Sequence, residues 1–232
     1  MENSTMRSLN SATRRCGLTF LLLVATALPI AAMAQGFKFS DVDKTQDEAK
    51  AERQKRIDVQ LSTPCRERIR NRKIMVLIGE EINGVVQARQ SAFSPHFDAI
   101  NARLQKLGLR TYTQEEIRRQ VAQAEIDAYF KNNPDAALSA AKRLAANYTL
   151  KGLISARAMR NPMIPVNQVA VSMQFVLTGA DGKRVAQADA QSQSFSGADV
   201  QGMALTLINE QAEEVVAKLY NQYCQQPEAR KK

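Results

Sequence analysis

A pair of alternating segments joined by a tight turn constrains the fold of this chain more than any other feature. Large apolar residues occupy every second position over 169–177. After Asp181-Gly182 the alternation resumes at 186–190, where Ala alternates with Gln and Asp. Strict alternation is typical of a strand buried on one face, and Asp-Gly is a strong hairpin signal. The sequence therefore predicts two antiparallel strands, the second of which has a wet outer face.

A continuous apolar run upstream predicts a further strand. Residues 74–78 are all large and apolar, which is typical of a strand buried on both faces. Gly79 closes this run, and another strand-like segment covers 150–154. Hydrophobic residues make up 44% of the chain, enough to bury the core that such a sheet needs.

Capping signals predict four helices between and after these strands. Proline at a first helical position, a capping box and an Asn-Pro pair are the signals for the first three. The second helix is expected to run to about Phe130. The four helices are expected to begin at or next to Pro95, Thr113, Asn133 and Asp199. The order, roughly β-α-(β)-α-α-β-β-β-α, predicts one α/β domain with a single mixed sheet and flanking helices.

The amino terminus has the pattern of an export signal. Three Arg precede an apolar stretch at 18–30, and Ala32-Met33-Ala34 supplies a small-residue cleavage site. The apolar stretch is shorter than the roughly 20 residues that a membrane span needs. We therefore predict a cleaved signal peptide at 1–34 and a periplasmic protein. Peripheral attachment to the outer membrane is a further option. An uncleaved membrane anchor is the alternative.

Composition divides the rest of the chain into three parts. Residues 35–64 carry charges of interleaved sign without a regular apolar stripe, which predicts a flexible leader or a frayed helix. A partner-binding arm that orders on contact is the alternative for this stretch. The α/β domain is expected to span 65–224, and 225–232 is expected to be a disordered basic tail.

The formal net charge favours acidic partners. It is +9 for the whole chain, and removal of 1–34 leaves +7 because three Arg and one Glu are lost. A basic exported protein meets lipid head groups, cell-wall polymer and acidic proteins, and a basic surface that serves solubility alone is the alternative. Nucleic acid is not an expected partner, because the compartment is wrong and no aromatic–basic motif is present.

Two cysteines remain once the signal is removed. Cys65 and Cys224 are an even pair in an oxidising compartment, which predicts a disulfide between the start and the end of the folded region. Two unpaired thiols, or pairing between chains, are the alternatives.

A glycine pair after the first strand does not form a nucleotide site. Gly79 and Gly84 have the spacing of a phosphate loop, but Val85 and Val86 stand where Lys and Ser or Thr are needed. Without that lysine the phosphates lose their main charge partner. A simple turn is the expected structure.

Residue types that carry catalysis or bind metals are scarce. Ser94, His96 and Asp98 lie near one helix start, where a nucleophile, a base and an orienting carboxylate do not readily line up. His96 is therefore expected at the surface. The adjacent Glu80-Glu81 pair points apart, and one His with two distant Cys makes no metal-ligand set. The sequence predicts no enzyme, no cofactor and no metal.

Five segments together resemble a known group of exported bacterial proteins. They are 73–78, 104–109, 113–118, 140–152 and the turn at 181–182. The most specific part is an Ala-x-x-x-x-Ala-Asn-Tyr-x-Leu-x-Gly pattern that begins at Ala141. Over roughly 73–220 the chain is similar to proteins related to the TolB amino-terminal domain. That group includes the curli-secretion protein CsgG, the flagellar assembly protein FlgT and the penicillin-binding-protein activator LpoB.

The resemblance implies a TolB amino-terminal-domain-like fold and an envelope protein that binds other proteins or assembles into rings. It also implies that the chain carries out no chemistry. Two departures from the group narrow this expectation. No lipobox cysteine stands at the cleavage site, and the connection at 159–168 leaves no room for inserted membrane-spanning hairpins. A pore formed by this chain alone is therefore not expected.

These observations predict a non-catalytic periplasmic adaptor or assembly factor of a bacterial envelope machine for secretion, the flagellum or the cell wall. Envelope proteins are the expected partners, with the outer membrane, the cell wall and a second copy of the chain as further candidates. A partner-binding surface is expected in the Pro-containing loop, where charge lies beside apolar residues, at Arg157, Arg160, Asn161 and Met163. An ordinary connection is the alternative for that loop.

The second functional hypothesis is a periplasmic module that binds an anionic ligand, such as cell-wall polymer or lipid head groups. The net charge of the mature chain motivates it. Binding that weakens strongly with salt would favour this hypothesis over protein docking.

Overall fold

One open mixed sheet of six strands organises the described part of the protein in this computed structural model. In chain order the elements are α1 (Phe39–Leu61), α2 (Arg66–Ile69), β1 (Lys73–Ile82), β2 (Val85–Gln87), α3 (Pro95–Lys106), β3 (Arg110–Thr111), α4 (Gln114–Gln120), α5 (Gln123–Phe130), α6 (Pro134–Arg143), β4 (Tyr148–Arg160), β5 (Asn167–Gly179), β6 (Arg184–Ser196) and α7 (Val200–Gln225). The strand order is β2-β1-β4-β5-β6, and β3 pairs with the start of β1. The predicted α/β sheet with flanking helices is confirmed.

The structure describes residues 39–82, 84–90, 95–160, 162–163 and 166–226. Apart from Phe39, these residues belong to one unit, Ser40–Lys232. The predicted signal peptide at 1–34, the predicted contact residue Asn161 and most of the predicted basic tail lie outside the described residues.

Helices cover both faces of the sheet. Gly79 and Glu80 are neighbours on β1, so side chains at these positions point to opposite faces. The Phe130 ring of α5 lies over Gly79, where an added Cβ would be 2.6 Å from Phe130 Cε1. On the other face, His96 of α3 contacts Glu80. α7 packs beside α3 and against β5 and β6, so α3 and α7 form one layer and α5 belongs to the other.

The alternation predicted for the β5–β6 hairpin is confirmed. The buried set on these strands is Val169, Val171, Met173, Phe175, Leu177, Ala186, Ala188 and Ala190. Gln187 and Gln191, on the opposite face of β6, are exposed. The small Ala side chains of β6 face α7 and let that helix lie close to the sheet.

A buried side-chain amide closes part of the outer edge of β1. Gln90 is 2% exposed; its Nε2 donates to Ile78 O at 2.9 Å, and its Oε1 accepts from Ile78 N at 3.5 Å. At the start of the same edge, Tyr112 N donates to Ile74 O. Gln90 thus satisfies backbone groups that would otherwise be open to another chain.

Side chains of α7 and of its C-cap residue, Gln226, close the first half of the β6 edge. The three hydrogen bonds join Gln226 Nε2 to Val185 O, Gln187 N to Gln222 Oε1 and Lys218 Nζ to Asp189 O. Lys218 and Gln222 are four positions apart and therefore lie on one face of α7, and Gln226 follows the helix as its C-cap residue. The backbone groups of the odd-numbered β6 residues consequently point away from β5.

The two ends of the α/β region meet at a pair of buried cysteines. Cys65 and Cys224 are each 3% exposed, lie 5.6 Å apart between Cα atoms, and are joined in a disulfide that encloses a sequence separation of 159 residues. Tyr220 OH accepts a hydrogen bond from Cys65 N at 3.2 Å. The geometry is the one that the predicted bridge requires.

The Ala-Asn-Tyr pattern noted in the sequence ties β4 to β1. Asn147 Oδ1 accepts from Lys73 N at 2.8 Å, and Asn147 N donates to Lys73 O at 2.8 Å. The glycine that ends the pattern, Gly152, lies beneath Phe175, and a Cβ there would be 2.3 Å from Phe175 Cε1. The pattern therefore serves strand pairing and core packing.

The single helix expected from Thr113 to about Phe130 is wrong. The Thr113 capping box is present, but the chain forms two helices, α4 and α5, separated at Val121. Val121 is extended (φ −119°) and 3% exposed. Glu125 Oε2 accepts from Ala122 N at 3.1 Å and begins the new helix. The burial of Val121 and this local cap together favour two short helices over one continuous helix.

The first strand is longer than expected, and the hairpin that follows it is absent from the predicted order. β1 continues through Gly79 to Ile82, and the chain turns at Gly84 (φ +79°) into β2. Gly79 is needed for the close approach of the Phe130 ring and does not end the strand.

Part of the predicted charged leader forms α1. Ile57 is 3% exposed, although the composition of this stretch predicted no buried position. Arg53 Nη1 lies 3.5 Å from Glu210 Oε2, and Arg56 Nε lies 3.4 Å from Glu214 Oε1. These contacts attach α1 to α7. The proposed division of the chain into leader, domain and tail stays a prediction.

Candidate functional site

Exposed apolar side chains gather at one end of the sheet, which we call the distal end. It comprises the β1–β2 turn, residues 156–160 of β4, 167–171 of β5 and 192–196 of β6. Among the described residues, six of the seven large apolar side chains with high exposure lie here or in the loop that follows β4. They are Ile82, Val85, Val86, Met159, Met163 and Phe195. The seventh is Val59, on α1.

Strand register places two of these residues in one row. Met159 pairs with Gln168, and Gln168 pairs with Phe195. Residues directly paired across strands share a face, so Met159 and Phe195 lie on the same face with Gln168 between them. Met159 is 57% exposed and Phe195 59%. Phe195 thus lies on the wet face of β6, where the preceding residues are polar.

Of the four residues predicted to bind a partner, Arg157 and Arg160 lie at the distal end, and Met163 lies in the loop that follows β4. Arg157 shares a face with Met159, and its Nη2 is 3.3 Å from Glu81 Oε1. Arg160 ends β4 and is exposed, and Met163 is 90% exposed. Asn161 lies outside the described residues. A role of these residues in binding stays a prediction.

Sequence reasoning missed Met159, Phe195 and the β1–β2 turn. A signal existed for Phe195, because it has the parity of Gln187 and Gln191 and so falls on the face expected to be wet. No comparable signal existed for Ile82 and Val85, since the hairpin itself was not predicted.

The opposite face of the distal end carries a cleft of about 540 Å³. It lies between the sheet, the start of α3 and the start of α7. Its apolar lining includes Ile82, Ala156, Ala158, Val169, Val200 and Leu205. The small side chains of Ala156 and Ala158 leave the space open beside β4. Glu80 and His96 stand at one side of the cleft and supply its polar groups together with Glu81 and Arg157.

Glu80 and His96 form a close pair beside this cleft. His96 Nδ1 lies 2.6 Å from Glu80 Oε1. The hydrogen bond from His96 lowers the pKa of Glu80, partial burial opposes this by raising it, and the charge of His96 adds a smaller lowering. His96, which was predicted to lie at the surface, is partly buried, and its side chain is 20% exposed. Glu81 points to the other face, as predicted for adjacent strand residues.

The Glu80–His96 pair makes stability depend on pH. A lowered pKa in the folded state means that ionised Glu80 stabilises the protein above its unfolded value of 4.5, and that this contribution is lost as pH falls through the folded value. We expect Glu80→Gln to lower the free energy of unfolding by less than about 1 kcal/mol near pH 6, since Glu80 is 42% exposed. Urea unfolding from pH 3 to 7 measures the difference, which should shrink as the pH falls below 4.5. A difference that stays constant over this range would contradict the assignment.

Two further properties of the described residues bear on chemistry and location. Their His, Cys, Asp and Glu side chains form no group of three or more with the placement of a metal site. Among the helices described, none has an apolar stretch long enough to cross a membrane.

Comparison with known proteins gives a likeness in structure only. No protein-family model matches the chain, and no curated protein matches it by sequence. The chain resembles the lipoprotein GNA1162 from Neisseria meningitidis, with 14% identity, 62% of this chain and 98% of that chain covered, and a TM-score of 0.42. The hypothetical protein CT253 from Chlamydia trachomatis has 11% identity, coverage of 67% and 99%, and a TM-score of 0.46.

A third solved structure comes from the group named in the sequence analysis. The LpoB C-terminal domain from Salmonella enterica has 13% identity, coverage of 57% of this chain and 95% of that chain, and a TM-score of 0.36. Bacterial lipoproteins are thus among the structures that the chain resembles. At these identities and TM-scores the likeness does not extend to function or partners. The narrower grouping with TolB, CsgG and FlgT stays a prediction.

Proposed function

We propose that this protein is a non-catalytic adaptor or assembly factor of the bacterial envelope that binds another protein through the distal end of its sheet. The carrying observation is the concentration of exposed large apolar side chains at that end. Single exposed apolar residues are ordinary, whereas a group of them marks an interaction surface. The periplasmic location is part of the proposal and derives from the export signal predicted at 1–34.

The residue types at the distal end suit a protein interface. Met and aromatic side chains are enriched at interface centres, and Arg is common among the residues that carry most of the binding energy. Met159 and Phe195 supply the first two types, and Arg157 lies on the same face. On this face the Arg157 guanidinium also pairs with Glu81, with 3.3 Å between Nη2 and Oε1.

Photo-crosslinking in the native envelope tests the proposal. A photoreactive residue replaces Gln168, which lies between Met159 and Phe195. We expect a crosslinked complex of defined mass. The double variant Met159→Ser with Phe195→Ser should reduce its yield about tenfold or more, because the apolar contacts that these two side chains make with the partner are removed. Both side chains are more than half exposed, so the double variant should keep the fold.

Val59→Ser is the matched control. Val59 is 70% exposed but lies on α1, away from the distal end, and its replacement should leave the crosslinked complex unchanged. Equal loss in the control and the double variant would contradict docking at the distal end. A crosslink between two copies of the chain would identify the partner as a second copy.

The anionic-ligand hypothesis predicts a different result from the same material. Binding to cell-wall polymer or anionic vesicles should fall steeply with salt and should not respond to Met159→Ser with Phe195→Ser. Protein docking through apolar anchors should show the opposite pattern.

A further inference from the structure

The backbone of β4 has an open edge at the distal end. The last pair between β1 and β4 joins Glu81 with Ser155, and β4 continues for residues 156–160. Over that extension β4 is paired on one side with β5. The other side lies where β1 would continue if it did not end at Ile82.

Strand parity shows which backbone groups face this opening. Gln187 N and Asp189 O bond to α7, so the even-numbered residues of β6 direct their backbone groups to β5. Ser194 pairs with Val169, and Val169 pairs with Ala158. Because Val169 bonds towards Ser194, Ala158 directs its N–H and C=O away from β5. Arg160, two residues on, does the same.

Elsewhere in the sheet, side-chain hydrogen bonds close the edges of the strands. Gln90 closes the outer edge of β1 at Ile78, and two side chains of α7 together with the C-cap residue Gln226 close the first half of β6. An open strand edge is a template for another strand. Among the described residues, no side-chain hydrogen bond closes the outward edge of β4 at Ala158 or Arg160. The nearest side-chain bonds join Arg157 to Glu81 and Asn167 to Gly197.

A strand added at this edge would meet the cleft described above. Ala156 and Ala158 point into the cleft, so a neighbouring strand would direct alternate side chains into the same space. The lining beside β4 is apolar at Ile82 and Val200, which suits an apolar side chain. Main-chain bonds along an edge with pockets for alternate side chains are the recognised chemistry of β-strand addition.

The charges at the opening favour an acidic segment. Glu80 and Glu81 are each engaged, with His96 and with Arg157, while Arg160 is exposed at the end of β4. A second copy of the chain is disfavoured, because the formal net charge is +9 for the full chain and +7 without residues 1–34, and two such chains repel. Only residues 156–160 of β4 are open on this side, because β1 pairs with β4 up to Ser155, and this length suits a short segment.

We infer that β4 binds an extended, acidic segment of a partner protein as an added strand at Ala158 and Arg160, with alternate apolar side chains of that segment in the cleft. The inference rests on the proposed function and names the partner class for the same end of the sheet. It differs from docking on the opposite face, where Met159 and Phe195 lie.

Two synthetic peptides test the inference with the whole purified protein. One alternates Glu with Val and the other alternates Lys with Val, both with blocked ends. We expect the Glu peptide to bind at least about tenfold more tightly and to slow hydrogen exchange of the Ala158 and Arg160 amides. Binding is measured by fluorescence anisotropy, and exchange by mass spectrometry or NMR.

Proline substitution removes one edge donor without breaking the bond network to β5. Ala158→Pro should weaken the Glu peptide about tenfold, because the missing N–H faces the opening. Gln193→Pro is the matched control, because the N–H of Gln193 also points outward, but at the far edge of the sheet. The affinity of this variant for the Glu peptide should be unchanged. Ala156→Leu fills the cleft while leaving the edge donor in place, and it should also weaken binding.

The outcomes separate this inference from the proposed function. No binding of the Glu peptide to the wild-type protein, or equal affinity for Ala158→Pro and Gln193→Pro, overturns strand addition. If the crosslink at Gln168 still forms and still depends on Met159 and Phe195, the proposed function stands without it. Weakening by both Ala158→Pro and Ala156→Leu, in variants with wild-type thermal unfolding, supports strand addition.

Discussion

Replacing Cys65 and Cys224 together by Ala is expected to lower the free energy of unfolding by about 5 kcal/mol. The bridge closes a sequence separation of 159 residues, and chain entropy gives a long loop a large effect on the unfolded state. For a protein of this size that loss corresponds to a fall in Tm of roughly 10–20 °C. Urea unfolding and calorimetry of wild type and variant measure it.

Reduction provides the control for this prediction. The wild-type protein in excess dithiothreitol should approach the Tm of the double variant, and the variant itself should not respond to the reductant. Equal Tm values for oxidised and reduced wild type, or two titratable thiols in the native protein, would contradict an intrachain bridge.

Gly152→Ala is expected to cost about 2–3 kcal/mol of folding free energy. Its new Cβ would lie 2.3 Å from Phe175 Cε1, and Phe175 is fully buried, so the ring has little room to move. Overpacking of this kind costs about 1–3 kcal/mol in well-packed cores. Chemical denaturation of the wild type and the variant measures the loss, and the two m-values should be equal.

Gly197→Ala is the matched control for this substitution. No atom lies within 4 Å of the Cβ that it would add, so its effect should be near zero or slightly stabilising. Combining Gly152→Ala with Phe175→Leu should cost less than the sum of the two single changes, because the smaller side chain relieves the clash. Strict additivity would show that the ring is not the source of the penalty.

Local signals predicted most of the secondary structure correctly because each acts through neighbours in the chain. The capping box at Thr113, the cap at Asp199 and the Asp181-Gly182 turn are all present as expected. The division between α4 and α5 was not predicted, because it depends on the burial of Val121 in a core that is formed by elements distant in sequence. The extension of β1 through Gly79 escaped for the same reason, since the Phe130 ring comes from α5.

The candidate site was predictable only in part. The break in the strand pattern after β4 drew attention to Arg157, Arg160, Asn161 and Met163. Arg157 and Arg160 lie at the distal end, and Met163 lies in the loop that follows β4. Nothing in the sequence showed that Met159 and Phe195 share a row, because that depends on the register of three strands. Likewise, the pairing of His96 with Glu80 joins two elements whose relative position no local pattern reveals.

The sequence by itself determined the elements of this protein: a buried central strand, an alternating hairpin and helices with defined starts, because periodicity and capping depend on a few consecutive residues. Only the tertiary structure decided where the surface is left open. β4 extends beyond its last pair with β1 by residues 156–160, which leaves the edge and the cleft open. The register of β4, β5 and β6 places Met159 and Phe195 in one row. Such features depend on how distant strands align, and alignment is set by the packing of the whole sheet against its helices.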